Sequence, residues 1–258
     1  MNYLKAMKST DDLSKFFDDY DDLALAFSGG TDSSFLLDFA IRKKVNIKAF
    51  YVKSQFQPGF EYLDAIDFAS SRNADMEIIE IDMLKHEDVS ANPPDRCYLC
   101  KTVIFDTIRH YAEKQGYKTI IDGTNASDSE VDRPGMRALN ELGILSPLRL
   151  CGMRKEDIRA LSKDAGLPTW DVPSYSCLAT RISANVRITG TDLKRVESSE
   201  MKLRSMGFRD VRVRIDNESA FIQFNKLDLD RARACIKSIE VALSDDFDSI
   251  CIDPRARL

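Results

Sequence analysis

The chain has 258 residues, 43% hydrophobic and 31% charged, ordinary values for a globular protein long enough to bury a full core in one large domain or two unequal ones. Lys and Arg number 37 against 42 Asp and Glu, a net charge of −5, which argues against a long nucleic-acid footprint because that needs a basic face. No apolar run approaches the roughly 20 residues that span a bilayer, and Met1-Asn2-Tyr3-Leu4-Lys5 lacks the apolar stretch of a signal peptide; a cytoplasmic protein with no membrane partner is expected. Six cysteines, Cys97, Cys100, Cys151, Cys177, Cys235 and Cys251, do not make a disulfide framework in a chain this long. In a reducing compartment they are free, metal-bound or catalytic.

Taken in chain order, Leu23 to Phe27 is a short apolar run ending in Ser-Gly-Gly and reads as a buried strand. A helix is expected from about Ser33 to Lys44, with Phe35, Leu36, Phe39 and Ala40 at helical spacing. Ile47 to Val52 reads as strand, Gly59 to Asn73 as helix, Met76 to Ile81 as strand, Cys97 to Gln115 as helix and Thr119 to Asp122 as strand. Arg154 to Ala165 reads as a helix closed by Gly166. Strands alternating with helices imply crossover units and a parallel sheet covered on both faces. Beyond Gly166 the character changes. Residues 167–190 hold Pro168, Pro173 and many small polar residues, a structured linker. A helix from Asp192 to Met206, strands at Val211–Ile215 and Ala220–Phe224, a helix from Leu229 to Leu243 and a strand near Ile250 then make a small α+β domain. The expected division is 1–166, a linker at 167–190, and 191–258.

Ser28-Gly29-Gly30-Thr31-Asp32-Ser33-Ser34 lies between a strand and a helix start. Glycines let the backbone turn tightly and approach an anion, while the helix start offers unpaired N–H groups and the positive end of its dipole. Such a loop can hold a pyrophosphate. A serine-capped helix after a glycine turn is the plain alternative, weakened by the strand before and the Asp and serines after. No Gly-Lys-Ser/Thr follows, so this is not a Walker A loop, and G-x-G-x-x-G is absent.

Ser-Gly-Gly-x-Asp-Ser resembles the signature of the PP-loop ATP-pyrophosphatases, which cleave ATP between the α- and β-phosphates. Three further segments narrow the resemblance: Asn92-Pro93-Pro94-Asp95-Arg96-Cys97-Tyr98-Leu99-Cys100-Lys101; Arg133-Pro134-Gly135-Met136-Arg137-Ala138-Leu139 ahead of Ser146-Pro147-Leu148; and Trp170 through Pro173-Ser174-Tyr175-Ser176-Cys177-Leu178-Ala179-Thr180-Arg181-Ile182. Together with the loop they are similar to the LarE family of ATP-dependent sacrificial sulfur transferases of nickel-pincer nucleotide synthesis, from about Leu23 to beyond Arg214. The resemblance implies an α/β fold with a Rossmann-like parallel sheet, of the adenine nucleotide alpha hydrolase-like kind, and a smaller C-terminal α+β domain. It implies ATP on Ser28, Gly29, Gly30, Asp32, Ser33, Ser34, Tyr51, Gly123, Thr124 and Asn125. Mg²⁺ would be on Asp32, with Glu200 near the metal. A small-molecule nucleotide, pyridinium-3,5-biscarboxylate mononucleotide, would be adenylated and take sulfur from Cys177, in a homo-oligomer. Adenylation is chemically necessary because a carboxylate resists a nucleophile until its charge is masked. Arg181 could lower the cysteine pKa or hold substrate phosphate.

Val211, Val213 and Ile215 alternate with Arg212 and Arg214, so period 2 sets both arginines on one face about 7 Å apart. Two guanidinium forks at that spacing suit a phosphate, the role the resemblance gives them; a solvated strand face is the plain reading. Where the family tends to have Ala-Arg-Ile-Glu, this chain has Ala220-Phe221-Ile222-Gln223, which removes a carboxylate from any metal contact there. Cys97 and Cys100 form C-x-x-C, and with Cys177 they are enough for a [4Fe-4S] cluster with one open iron. His86 and His110 have no ligand spacing to each other, which disfavours zinc. A PP-loop tRNA thiolase is the rival function, opposed by the acidic net charge and the lack of a basic domain to grip tRNA; a non-catalytic nucleotide sensor is another.

Overall fold

The structure of the protein, a computed structural model, describes residues 3–128 and 134–255. In chain order the elements are helix α1 (Tyr3–Asp18), strand β1 (Asp22–Ala26), α2 (Thr31–Arg42), β2 (Asn46–Lys53), α3 (Gly59–Ser71), β3 (Met76–Glu80), α4 (Glu87–Ser90), α5 (Arg96–Lys114) and β4 (Thr119–Asp122). There follow α6 (Pro134–Glu141), α7 (Pro147–Leu150), α8 (Lys155–Asp164), α9 (Gly190–Ser205), β5 (Val211–Asp216), β6 (Ser219–Phe224), α10 (Leu229–Ala234), α11 (Ile236–Leu243) and β7 (Ser249–Ile252). The chain divides into two compact units. One comprises residues 1–54, 59–81 and 95–174; the other comprises 55–58, 82–94 and 175–258. The second is therefore not a simple C-terminal piece: two short excursions from the first half of the chain join it, and residues 175–190 belong to it as well.

The first unit is an α/β fold on a four-stranded sheet of order β3-β2-β1-β4, with every pairing parallel. Because successive side chains leave a strand on opposite faces, each strand feeds two cores. Leu23, Leu25, Ala49, Tyr51 and Ile121 face one cluster with Leu13 and Phe17 of α1, Phe35 and Leu36 of α2, Phe68 of α3 and Ile158 of α8. Ala24, Phe50, Val52, Ile79 and Ile120 face the other, with Phe105 and Ile108 of α5 and Met136 and Leu139 of α6. A sheet buried on both faces explains why its strands read as nearly continuous apolar runs. The chain leaves β1 toward β2 on one side while β4 lies on the other, so the carboxyl ends of β1 and β4 form a switch point, the place where open α/β sheets bind ligands.

In the second unit β5, β6 and β7 form a three-stranded sheet in that order, antiparallel between β5 and β6 and parallel between β6 and β7. Val211, Val213, Ile215, Ala220, Ile222 and Phe224 are buried, as are Leu193, Val196 and Leu203 of α9 and Ile239 and Leu243 of α11. The expected helix over 229–243 is two helices, broken at Cys235, whose φ of −95° and ψ of 10° leave the helical region.

Candidate functional site

After β1 the chain turns through Ser28, Gly29 and Gly30 into α2. Gly29 has φ +74° and an added Cβ would stand 2.8 Å from the Ala65 Cβ, so this position needs both the left-handed backbone and the absent side chain. Gly30 is the N-cap of α2 and no side chain caps that end, which leaves the first-turn N–H groups directed out of the helix. The serines brace the turn: Ser34 Oγ donates to the Gly29 carbonyl at 3.2 Å and Ser33 Oγ to the Gly30 carbonyl at 3.3 Å, and the Ser28 and Ser33 hydroxyls are 3.1 Å apart. Across the switch point, a Cβ on Gly123 would meet Ser33 N at 2.9 Å; only glycine lets the turn after β4 lie this close to the helix start.

Asp32 sits in the first turn of α2. Its Oδ2 accepts from Lys155 Nζ at 2.7 Å and from Asn125 Nδ2 at 3.3 Å, while Oδ1 is buried with no hydrogen-bond partner among the described residues. Burial pushes the Asp32 carboxyl above its ordinary pKa, Lys155 pulls it part of the way back, and Asp128 adds to the rise. An orphaned buried carboxylate oxygen beside a phosphate-type loop fits a hard cation, which prefers oxygen ligands. Asp122 Oδ1 accepts from Ser146 Oγ at 2.6 Å and from Thr124 N at 3.2 Å, Asn125 N donates to Asp128 Oδ2 at 3.0 Å, and Lys155 N donates to Ser127 Oγ at 3.0 Å. The turn over 122–128 is thus held between β4 and the start of α8. Of the residues expected to hold ATP, the first unit brings together Ser28, Gly29, Gly30, Asp32, Ser33, Ser34, Gly123 and Asn125; Thr124 is buried on Asp122. Tyr51 stands apart, 2% exposed within the core, its hydroxyl buried without a partner among the described residues and its pKa raised by that burial and by Glu61.

Lys155 escaped the sequence reading, yet it carries a signal. It is the first residue of α8, where a cation opposes the helix dipole, so a lysine there calls for a partner elsewhere in the fold. Arg133, in one of the family-like segments, lies outside the described residues.

Cys177 belongs to the second unit. It is the N-cap of a one-turn 3-10 helix, Leu178–Arg181, and none of the six cysteines is in a disulfide. Leu178 N donates to the Phe56 carbonyl at 2.8 Å, and Asn92 Nδ2 donates to the carbonyls of Ser183 at 2.8 Å and Val186 at 3.0 Å. Asn92 has φ +58°, a conformation that asparagine tolerates better than most residues. Arg181 is 1% exposed. Its Nη1 donates to the Ser176 carbonyl at 2.6 Å, Thr180 Oγ1 at 2.9 Å and the Cys177 carbonyl at 3.1 Å. Its Nε and Nη2 donate to Glu200 Oε1 and Oε2 at 2.8 and 3.1 Å. Burial lowers the pKa of Arg181, but Glu200, with smaller contributions from Tyr175 and Cys177, offsets this and holds it above its ordinary value. Glu200, also 1% exposed, takes Val213 N at 2.9 Å on Oε1 and the Tyr175 hydroxyl on Oε2. That makes four donors on a carboxylate with about four lone-pair sites. The donor set around Glu200 therefore does not fit a metal ion unless one of these contacts breaks, in contrast to Asp32.

On β5, Val211, Val213 and Ile215 are buried, Arg212 is half-buried and Arg214 exposed. In register, Arg212 stands opposite Gln223 and Arg214 opposite Phe221, and Gln223 Nε2 donates to Asp253 Oδ2 at 3.1 Å. Cys97 and Cys100 lie one helical turn apart at the start of α5 in the first unit, Cys97 exposed, with Arg96 Nη2 3.6 Å from the Cys97 sulfur. Among the described residues no group of three or more His, Cys, Asp or Glu is placed to hold a metal ion, and no helix is long and apolar enough to cross a membrane.

A four-stranded parallel sheet with a glycine-turned helix start at its switch point defines a Rossmann-like α/β protein. No protein-family model matches the chain. It is 35% identical over 217 residues to an uncharacterized protein of Synechocystis sp., covering 83% of this chain and 80% of the relative. It is 33% identical over 201 residues to an uncharacterized protein of Methanocaldococcus jannaschii, covering 78% and 77%. To the pyridinium-3,5-bisthiocarboxylic acid mononucleotide synthase of Lactiplantibacillus plantarum it is 30% identical over 203 residues, covering 78% of this chain and 74% of the relative. The chain belongs to the family of that synthase, the LarE-like family.

Proposed function

We propose that the protein is an ATP-dependent sulfur transferase of nickel-pincer nucleotide synthesis, which adenylates a carboxylate of pyridinium-3,5-biscarboxylate mononucleotide and replaces one of its oxygens with sulfur from Cys177. The observation that carries this reading is the uncapped α2 start with the orphaned Asp32 Oδ1 beside it, in a chain of the synthase family. The α2 N–H groups and the Ser28 hydroxyl hold the β- and γ-phosphates in a turn that Ser33 and Ser34 brace, and the turn over Gly123 to Asn125 meets the nucleotide. Bound through Asp32, Mg²⁺ would neutralise charge on the triphosphate. Lys155, paired with Asp32 at 2.7 Å, would add positive charge beside the same phosphates.

The substrate carboxylate attacks the α-phosphorus, pyrophosphate leaves, and an acyl adenylate results. The Cys177 thiolate attacks the acyl carbon and AMP leaves. The proton on Cys177 Cα is then removed as the Cβ–S bond breaks, and the electron pair of that bond stays with sulfur. The product is a thiocarboxylate, and residue 177 becomes dehydroalanine. Arg212 and Arg214 hold the substrate phosphate. The protein acts as a cytoplasmic homo-oligomer.

One experiment tests the reading. Incubation with ATP, Mg²⁺ and the mononucleotide should yield AMP and pyrophosphate and lower the protein mass by roughly 34 Da, located at Cys177. The competing reading places an iron–sulfur cluster on Cys97, Cys100 and Cys177, and the adjacency of Cys97 and Cys100 on one turn of α5 favours it. It predicts brown protein from anaerobic purification, equal dependence on all three cysteines, and an unchanged Cys177 after many turnovers. Sulfur appearing in tRNA instead would point to a thiolase.

A further inference from the structure

We propose that Arg181, Glu200 and Tyr175 form a positioning clamp for the loop that carries Cys177, acting on the backbone around the sulfur rather than on substrate phosphate or on a metal. The inference rests on reading Cys177 as the sulfur donor.

The loop is built around the guanidinium. Ser176 offers its carbonyl at 2.6 Å and its hydroxyl at 2.8 Å, Cys177 its carbonyl at 3.1 Å and Thr180 its hydroxyl at 2.9 Å, all to Nη1 of Arg181. The Thr180 hydroxyl also donates to the Cys177 carbonyl at 2.8 Å. The peptide group following the donor cysteine is thus fixed from two sides. A planar fork with five donors can hold several acceptors of one loop together with a carboxylate; a lysine ammonium cannot.

Glu200 ties this assembly to the scaffold. It sits on α9 and accepts Val213 N of β5, so helix and strand both locate it. Its two oxygens engage Nε and Nη2 side by side, the bidentate geometry that fixes a guanidinium in plane. Tyr175 closes the remaining side: the Arg181 guanidinium lies 4.6 Å from the centre of its ring, and that of Arg204 5.5 Å. The Tyr175 hydroxyl donates to Glu200. Within the clamp itself the Arg181 charge is matched by that of Glu200 at 2.8 Å. With both residues of the ion pair 1% exposed, a phosphate reaches Arg181, or a cation Glu200, only if contacts of the clamp break.

The test uses full-length Arg181→Lys, Arg181→Met, Glu200→Gln and an Arg181→Met/Glu200→Leu double variant, which leaves no buried charge unpaired. Four readouts are followed: amide exchange over residues 178–182, the pH profile of Cys177 alkylation by iodoacetamide, adenylation, and single-turnover sulfur transfer. The clamp predicts that Arg181→Lys, despite keeping the charge, speeds exchange at least tenfold and slows sulfur transfer at least tenfold, with adenylation within twofold and the alkylation midpoint unmoved. The double variant should exchange as fast as Arg181→Lys while ATP binding reports an intact first unit. Wild-type exchange and transfer in Arg181→Lys would overturn the clamp. So would an alkylation midpoint raised by a unit or more in Arg181→Met with exchange unchanged. Loss of Mn²⁺ binding in Glu200→Gln, measured without ATP, would return Glu200 to a metal. Exchange needs no substrate, so a wild-type protein that transfers no sulfur would refute the functional reading while the exchange data still judge the clamp.

Discussion

Asp32 and Lys155 are 2.7 Å apart, and burial and pairing act on the carboxylate in opposite directions. Burial disfavours the ionised Asp32 and the lysine only partly compensates, so its pKa stands above the ordinary value. Asp32→Ala should abolish AMP formation with the fold intact, measured as AMP release beside a circular dichroism spectrum. The raised pKa fixes the sign of a second effect. The folded state takes up protons more readily than the unfolded one, so this group's stabilisation is complete below the ordinary carboxylate range and lost as pH rises through the raised value. Asp32→Asn should therefore melt above the wild type at pH 7, with the difference shrinking toward pH 3. Asp253 runs the other way. The hydrogen bonds from Arg255, with a smaller one from Gln223, hold its pKa down to about 2, so its contribution is present above the ordinary range and disappears as pH falls toward 2. In Arg255→Ala its midpoint, followed by NMR titration, should rise toward the usual aspartate value. Asp32 was legible because it stands in a motif. Asp253 was not, because nothing in the sequence tells that the backbone brings it beside Gln223.

At the level of elements, hydrophobic periodicity located the seven strands of the described residues, since a two-faced sheet and a one-faced sheet leave distinct apolar patterns. Helix α1 and helix α6 were not read from the sequence. The first buries Leu13 and Phe17 from a segment rich in charge, and the second begins at a proline. The break at Cys235 had no glycine or proline to announce it. The site shows the same division. The glycine turn and the alternating arginines of β5 are visible as strings, whereas the contact between Gly123 and Ser33 is a tertiary fact. Gly123→Ala should weaken ATP binding at least tenfold by calorimetry, because its Cβ would meet backbone of α2, 2.9 Å from Ser33 N, and backbone cannot swing aside. Arg212→Ala with Arg214→Ala should weaken the mononucleotide while sparing ATP, each charge-assisted contact being worth about 1.5–3 kcal/mol; unchanged mononucleotide affinity would return β5 to a solvated face.

For the molecule as a whole, the sequence was read as successive segments and the structure is interleaved. The chain passes between its two units at 54/55, 58/59, 81/82, 94/95 and 174/175. No composition shift marks the excursions at 55–58 and 82–94, because what recruits them is hydrogen bonding to a distant partner: Phe56 to Leu178, Ser90 to Ile188, and Asn92 to the carbonyls of Ser183 and Val186. The interleaving has a bearing on biosynthesis. A ribosome that has just released residue 94 has made a segment whose anchoring partners do not yet exist. At roughly 5–20 residues per second, Asn92 and Phe56 wait for seconds before residues 178–188 emerge. A nascent chain halted near residue 174 should therefore be cut by protease within residues 82–94 while its parallel sheet resists, and release of the full chain should end that sensitivity.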